Sequence, residues 1–161
     1  VTEEEFDNYV DAFGNRMLRL VLKFTWDKAK AEDIVQEAFA MLWTERNRIS
    51  QENIRSYLFA FACRRAINEK KKEKTHQKAV AEIWEEQVSA KEYLGIGETL
   101  NEVLNLIPEE EKTALLLKDL DEQTFKEVGK TMGISGREAE RLVTNARRAV
   151  KHYLVRIDNL I

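Results

Sequence analysis

Apolar residues in this chain recur every three or four positions almost from end to end, a spacing that specifies helices and leaves little room for strands. Phe6, Val10, Phe13, Met17, Val21 and Phe24 form one such stripe, and Thr2 with Glu5 offers a capping box at its start. Asp27 is placed to cap a second helix whose apolar face is Ile34, Val35, Ala38, Phe39, Leu42 and Trp43. Glu45 to Glu52 carries no periodicity and reads as a loop. Asn53 then caps a third helix with Ile54, Tyr57, Leu58, Phe61 and Ala62 inward. One Pro and six Gly among 161 residues supply too little turn material for a sandwich or barrel of many short strands.

Beyond Lys74 the apolar density drops, and Gly95 and Gly97 interrupt the pattern. Residues 75–97 therefore read as a linker, with Val80, Ile83, Trp84 and Val88 able to form a helix inside it. A second helical unit follows. Leu100, Val103, Leu104 and Ile107 precede Pro108, which opens a helix where its missing N–H costs nothing. Ala114 to Leu120 is nearly continuous apolar sequence and predicts a buried helix. The expected fold class is all-α: two small helical domains, residues 1–74 and 98–161, joined by the acidic segment 75–97.

The second unit carries the most specific pattern. Thr124 and Glu127 form a capping box before Val128 and Met132, and Gly133 sits where a short helix stops in the left-handed conformation. Ile134 plugs the turn, and Ser135 with Glu138 offers another capping box. The next helix buries Ala139, Leu142, Val143, Ala146, Val150, Tyr153 and Leu154. A short capped helix, a Gly turn and a long second helix is the helix-turn-helix signature. Its outer face presents Arg137, Glu138, Glu140, Arg141, Thr144, Asn145 and Arg148. Arg and Asn at such positions read guanine and adenine in a major groove. The plain alternative is a packed helix pair with solvated charges.

The formal net charge of −3, taken alone, argues against a nucleic-acid binder. Its distribution reverses that. Residues 1–74 carry 14 basic and 13 acidic side chains, residues 75–107 carry 2 and 6, and residues 108–161 carry 10 of each. Arg64–Lys74 holds six basic against two acidic residues, and Arg137–Arg156 holds the same ratio, so positive charge is bunched in two helices.

Several function classes drop out. His76 and His152 lie in different units, and no Ser/His/Asp set, metal-ligand spacing or Gly-rich phosphate loop is present, so neither an enzyme nor a cofactor or metal site is expected. Lone Cys63 excludes an internal disulfide framework and fits a reducing compartment. No apolar run approaches the ~18 residues of a membrane span, and no signal-peptide core opens the sequence. A cytoplasmic protein without membrane insertion is expected.

Three segments, in order, resemble a bacterial RNA polymerase sigma factor of the extracytoplasmic-function type. Ala31–Phe39 is similar to that family's region 2.2, Ile54–Ala62 to its region 2.3–2.4 helix, and Ile107–Arg147 to region 4. The resemblance implies a protein that binds core RNA polymerase, directs it to promoter DNA, and helps open the −10 element. It places Asp33, Gln36 and Glu37 on the surface that grips the clamp helices of the largest polymerase subunit. On the residues alone, the same three are ordinary solvated positions of a helix face. The loop Arg48, Ile49, Ser50, Gln51 and Glu52 corresponds to the segment that captures a flipped −10 base. Arg64 stands where the family usually has Asn, and Asn68 where it often has Asp. Arg65, Lys70, Lys71, Lys72 and Lys74 would hold phosphates. Tyr57 matches a recurrent aromatic, although its spacing to Ile54 and Phe61 suits core packing.

The −35 element would be read through Arg137, Arg141, Thr144, Asn145 and Arg148, with Lys118 reaching a phosphate from the preceding helix. Glu140 replaces a residue that is usually basic. The acidic linker would thread the polymerase channel, or act as a plain tether, and an anti-sigma factor is implied as a further partner. A monomeric free chain follows from this reading. The rival is a helix-turn-helix regulator acting on duplex DNA without polymerase, which predicts a dimer and gives residues 27–74 no special role.

Overall fold

The computed structural model describes residues 1–85 and 99–158, with side chains over 1–69 and 102–155. Helix α1 (Glu3–Thr25) begins on the complete capping box expected from the sequence, with Glu5 N–H donating to Thr2 Oγ1 and Thr2 N–H to Glu5 Oε2, both at 3.1 Å. Met17, Val21 and Phe24 are buried, as is Leu20, while Phe6, Val10 and Phe13 are half-buried. Trp26 adopts a left-handed conformation (φ 54°) that ends the helix. Asp27 Oδ1 accepts from Lys30 N–H at 3.1 Å and starts α2 (Lys28–Glu45). Ile34, Ala38, Phe39 and Leu42 face the core, and the Phe6 ring meets Phe39 and Trp43 edge-on.

A 3-10 turn (Gln51–Asn53) leads directly into α3 (Ile54–Glu85). Asn53 does not take the capping role expected of it; its Nδ2 donates to Ser50 Oγ at 2.8 Å. The inward face of α3 also differs from the expectation. Phe59, Cys63 and Ala66 are buried with Ile54, Leu58 and Ala62, whereas Tyr57 and Phe61 are only half-buried. The reason is a second packing partner. One side of α3 meets α1 and α2, and another meets a helix of the C-terminal half, so a single stripe cannot describe it. Nor does the helix stop at Lys74, since its backbone continues to Glu85 through the first part of the expected linker. Val88, Gly95 and Gly97 lie outside the described residues, as do the side chains of Ile83 and Trp84.

The C-terminal half opens with α4 (Thr99–Leu106) and α5 (Glu109–Leu115), the latter capped by Pro108, whose carbonyl accepts from Lys112 N–H at 2.9 Å. Ala114 to Leu117 are buried as expected, but the helix widens into a π turn over Leu116–Leu120. That turn closes with Asp121 N–H on the Leu116 carbonyl and Gln123 N–H on that of Leu117, both at 3.0 Å, around Glu122 at φ 57°. A left-handed conformation at a non-glycine costs about 1 kcal/mol, so the surrounding packing must hold it. Helices α6 (Phe125–Met132) and α7 (Gly136–Asp158) complete the chain.

The halves share one hydrophobic core. Met17, Leu20, Phe24 and Phe59 join Ile107, Ala114, Leu117 and Val128 in a single cluster. Each of the larger side chains, Ala114 excepted, contributes roughly 1.5–3 kcal/mol when fully buried. Lys112 sits inside this seam with no exposed surface, its Nζ 3.0 Å from Asn105 Oδ1 and 4.5 Å from the centre of the Phe24 ring. A buried ammonium needs such partners, because desolvation of an unpaired charge is prohibitive.

Candidate nucleic-acid interface

Helices α6 and α7 form the helix-turn-helix. Thr124 Oγ1 accepts from Glu127 N–H at 3.1 Å, and Gly133 takes the left-handed conformation (φ 73°, ψ 31°) with its N–H on the Gly129 carbonyl. Gly129, which the sequence reading did not single out, matters as much. A Cβ at that position would lie 2.6 Å from the Ile134 carbonyl oxygen and 3.0 Å from the Ser135 carbonyl carbon, so only glycine lets the turn close over α6. Its signal in the sequence was an isolated Gly in a short helix, a placement that ordinarily costs about 1 kcal/mol.

Ser135 Oγ accepts from Glu138 N–H at 3.0 Å, which is half of the expected capping box. The Glu138 carboxylate instead turns along α7 to Arg141, taking Nε at 3.0 Å and Nη2 on its other oxygen. This bond, more than any other contact, holds the Glu138 carboxyl below its usual range and raises Arg141. Arg137, Glu140, Arg141, Thr144 and Arg148 are exposed on one outward face, with Asn145 half-buried at its edge. Among the described residues no carboxylate pairs with Arg137 or Arg148. Arg147 is committed elsewhere, to Asp119 with Nε–Oδ2 at 3.2 Å. Lys118 is half-buried, with its Nζ 4.8 Å from the centre of the Phe125 ring at the start of α6.

On the N-terminal half, Arg48, Ser50, Gln51 and Glu52 are exposed, while Ile49 packs against the core and anchors the loop. The Glu52 carbonyl accepts from Lys130 Nζ at 2.8 Å, so α6 touches this loop directly. Arg64 and Arg65, adjacent in the sequence, point to different neighbours. Arg65 forks onto Glu37 Oε2 at 2.9 and 3.2 Å, across to α2. Arg64 lines a groove of about 550 Å³ with Ala60, Cys63 and Ile67, whose opposite wall includes Glu109, Glu110 and Met132. Asn68 is exposed, and the side chains of Lys70, Lys71, Lys72 and Lys74 lie outside the described residues. Burial pushes the Cys63 thiol up to about 12.

Asp33, Gln36 and Glu37 are all exposed on α2, as the helical spacing requires. Glu37 is paired to Arg65, and Gln36 borders an apolar groove of about 620 Å³ between α1 and α2, floored by Phe6, Val10, Leu18 and Val35. The sequence reading found the polar rim of this groove and assigned its apolar floor to the core. Half-burial of Phe6 and Val10 is a tertiary fact that periodicity does not carry.

Family comparison matches the chain in two successive segments. The family model described as Sigma-70 region 2 matches residues 9–76, and that described as Sigma-70, region 4 matches residues 97–156. The ECF RNA polymerase sigma factor SigM of Bacillus subtilis (strain 168) is 25% identical over 150 residues, covering 90% of this chain and 92% of that protein. Among solved structures, CnrH in complex with the cytosolic domain of CnrY superposes with a TM-score of 0.74 at 14% identity, over 95% of this chain and 89% of that one. The sigma factor RpoE, in complex with the anti-sigma factor NepR from Bartonella quintana, gives 0.70 at 15% identity, over 94% and 97%. At these identities the structural likeness speaks for the fold.

Proposed function

Because the chain belongs to the sigma-70 family and is a sigma factor of its extracytoplasmic-function class, we propose that its two DNA-facing surfaces divide promoter recognition between them. Helix α7 reads the −35 element in the major groove through Arg137, Arg141, Thr144, Asn145 and Arg148. Helix α3 and the preceding loop, from Arg48 to Glu52 with Arg64 and Asn68, engage the −10 strand. Lys70, Lys71 and Lys72 add phosphate contacts without sequence information. Asp33 and Gln36, at the rim of the α1–α2 groove, face core RNA polymerase. Lys118 and Arg65 are secondary, since each must leave a partner within the protein before it reaches a phosphate.

The observation that carries this reading is the outward face of α7, where three exposed arginines and a threonine border Asn145 on a helix fixed by the Gly133 turn. The protein acts by binding and positioning rather than by catalysis, in the cytoplasm, as a monomer until it meets polymerase, and under the control of an anti-sigma factor. Among the described residues no helix is long and apolar enough to cross a membrane. Run-off transcription with purified core polymerase on a library of genomic fragments tests the reading. Discrete transcripts that require this chain are expected, and their start sites give the promoter. Duplex binding without any polymerase-dependent transcript would refute it.

A further inference from the structure

The outward face of α7 treats its two acids unequally. Glu138 is committed twice: its backbone N–H donates to Ser135 Oγ at 3.0 Å, and its carboxylate takes the Arg141 fork, with Nε at 3.0 Å. Glu140, two residues on, is exposed, and among the described residues nothing pairs with its carboxylate. Partners are within reach along the helix. Arg137 lies three positions before it and Thr144 four after, the spacings at which helical side chains meet. Yet among the described residues Arg137 makes no ion pair, Arg147 turns away to Asp119, and Arg141 is taken by Glu138. Glu140 is therefore a bare carboxylate in the second turn of α7, on the same face as the residues assigned to the −35 element.

Charge at this end of the helix cancels. Arg137 and Arg141 are balanced by Glu138 and Glu140, and Arg141, raised first by its bond to Glu138, also feels Glu111 and Glu110 of α5. Among the described residues the cations without a carboxylate partner stand further along, at Arg148 and Lys151. Sequence-independent attraction to phosphates belongs to that part of the helix. A recognition helix meets base edges with its N-terminal residues, where Glu140 sits. A bare carboxylate there is repelled by the phosphates flanking the groove, so it lowers affinity for every sequence except one that offers it a donor. The major groove offers two, cytosine N4 and adenine N6. Adenine N6 lies between two acceptors, its own N7 and the O4 of the paired thymine. Cytosine N4 has one acceptor neighbour, guanine O6, and a C–H on its other side. A carboxylate can only accept, so cytosine is the better match.

We propose that Glu140 is a specificity-determining residue of α7, whose carboxylate accepts from cytosine N4 and so selects a C·G pair at one position of the −35 element. The proposal rests on the promoter-recognition reading above and deepens it. Arg137, Arg141 and Arg148 suit guanine and Asn145 suits adenine, while Glu140 adds an acceptor suited to cytosine. Glu138 does not compete for that role, because its carboxylate is held along the helix by Arg141.

Holoenzyme is assembled from purified core polymerase and the full chain or its Glu140→Ala, Glu140→Gln and Glu140→Lys variants. Each then selects from duplexes randomised over the −35 region of a promoter found by run-off transcription. The site is exposed, so all three variants should keep the parent's helicity in circular dichroism. The parent is expected to fix cytosine at one position by about tenfold over the other bases. Glu140→Ala should lose that preference and keep the rest of the motif, while binding unrelated duplex severalfold more tightly because a repulsion is gone. Glu140→Gln should move the preference to adenine, whose N6 and N7 an amide matches, and Glu140→Lys to guanine. Variants that keep the parent's base preference at every position overturn the proposal. That includes a Glu140→Ala chain that binds all duplexes more tightly by one factor, which would make Glu140 a phosphate-repelling surface charge. Relaxation at a position where the parent does not prefer cytosine overturns the base assignment. A −35 motif indifferent to Glu140 leaves the promoter-recognition reading standing and removes this proposal alone. If the parent gives no polymerase-dependent transcript, or enriches no −35 sequence, that reading falls and the proposal falls with it.

Discussion

Arg16 and Arg141 each present a guanidinium fork to one carboxylate, and the two pairs do opposite things. Arg141–Glu138 lies on the outer face of α7, one turn apart, in full contact with water. An exposed pair of that kind contributes little to stability, because water and salt screen it, and it opens readily when a better partner arrives. Arg16–Asp121 joins residues 105 positions apart, with the carboxylate fully enclosed. Breaking such a pair leaves a buried charge without compensation, at a cost of about 3–5 kcal/mol before allowance for the part-exposed arginine. The same chemistry thus supplies a movable reading head in one place and a structural clasp in the other. Burial, not residue type, makes the difference.

The comparison is best broken at Asp121. Its replacement by Ala removes the acceptor for both Arg16 and Gln123, and a loss of about 3 kcal/mol in chemical denaturation is expected, with Cys63 becoming reactive. Arg16→Ala should cost less, about 2 kcal/mol, since Gln123 still satisfies one oxygen of Asp121 and the lost cation was part-exposed. Gly129→Ala tests the helix-turn-helix on its own terms. The new Cβ forces the Ile134 backbone away, so a loss of about 2 kcal/mol is expected together with weakened duplex binding. Arg141→Ala inverts the pattern at the seam. Stability in chemical denaturation should be essentially unchanged, while binding to the −35 sequence falls by ~1–3 kcal/mol if the side chain meets a base. An equal loss on all sequences would assign it to a phosphate instead.

A pH experiment sharpens the same contrast. The Cys63 thiol stays protonated in the folded chain to about pH 12, whereas the unfolded chain releases its proton near pH 9. The contribution of this group is therefore fully present below pH 9 and declines as pH rises toward the folded value. The slope is about 1 kcal/mol per pH unit, and Cys63→Ala should remove it from a stability curve measured between pH 9 and 11. Since the groove walls keep the thiol dry, opening the seam with Arg55→Ala, which removes the partner of Glu127 on α6, should shrink the slope as well.

Local signals carried much of this molecule. The Thr2–Glu5 capping box, the Asp27 cap, the left-handed Gly133 and the outward set on α7 all depend on residues within one or two turns of each other, where sequence spacing is spatial spacing. Partial failures came where a side chain had a choice of partner. Glu138 was read as closing a capping box and instead clasps Arg141, because a cation one turn along offers a stronger bond than a backbone N–H. Asn53, read as a helix cap, gave its amide to Ser50. The inward face of α3 was misjudged because two surfaces pack on it, and a single hydrophobic stripe describes only one.

By itself, then, the sequence determined that the chain is helical, where most helices begin and end, and that positive charge is gathered on two of them. Those are consequences of backbone geometry and of the periodicity that follows from it. Only the tertiary structure decided which charges are available. Arg16, Arg55 and Lys112 look in the sequence like ordinary basic residues of helix surfaces. Burial between the halves makes them the contacts that hold the two together, because a charge removed from water must find a partner and then keeps it.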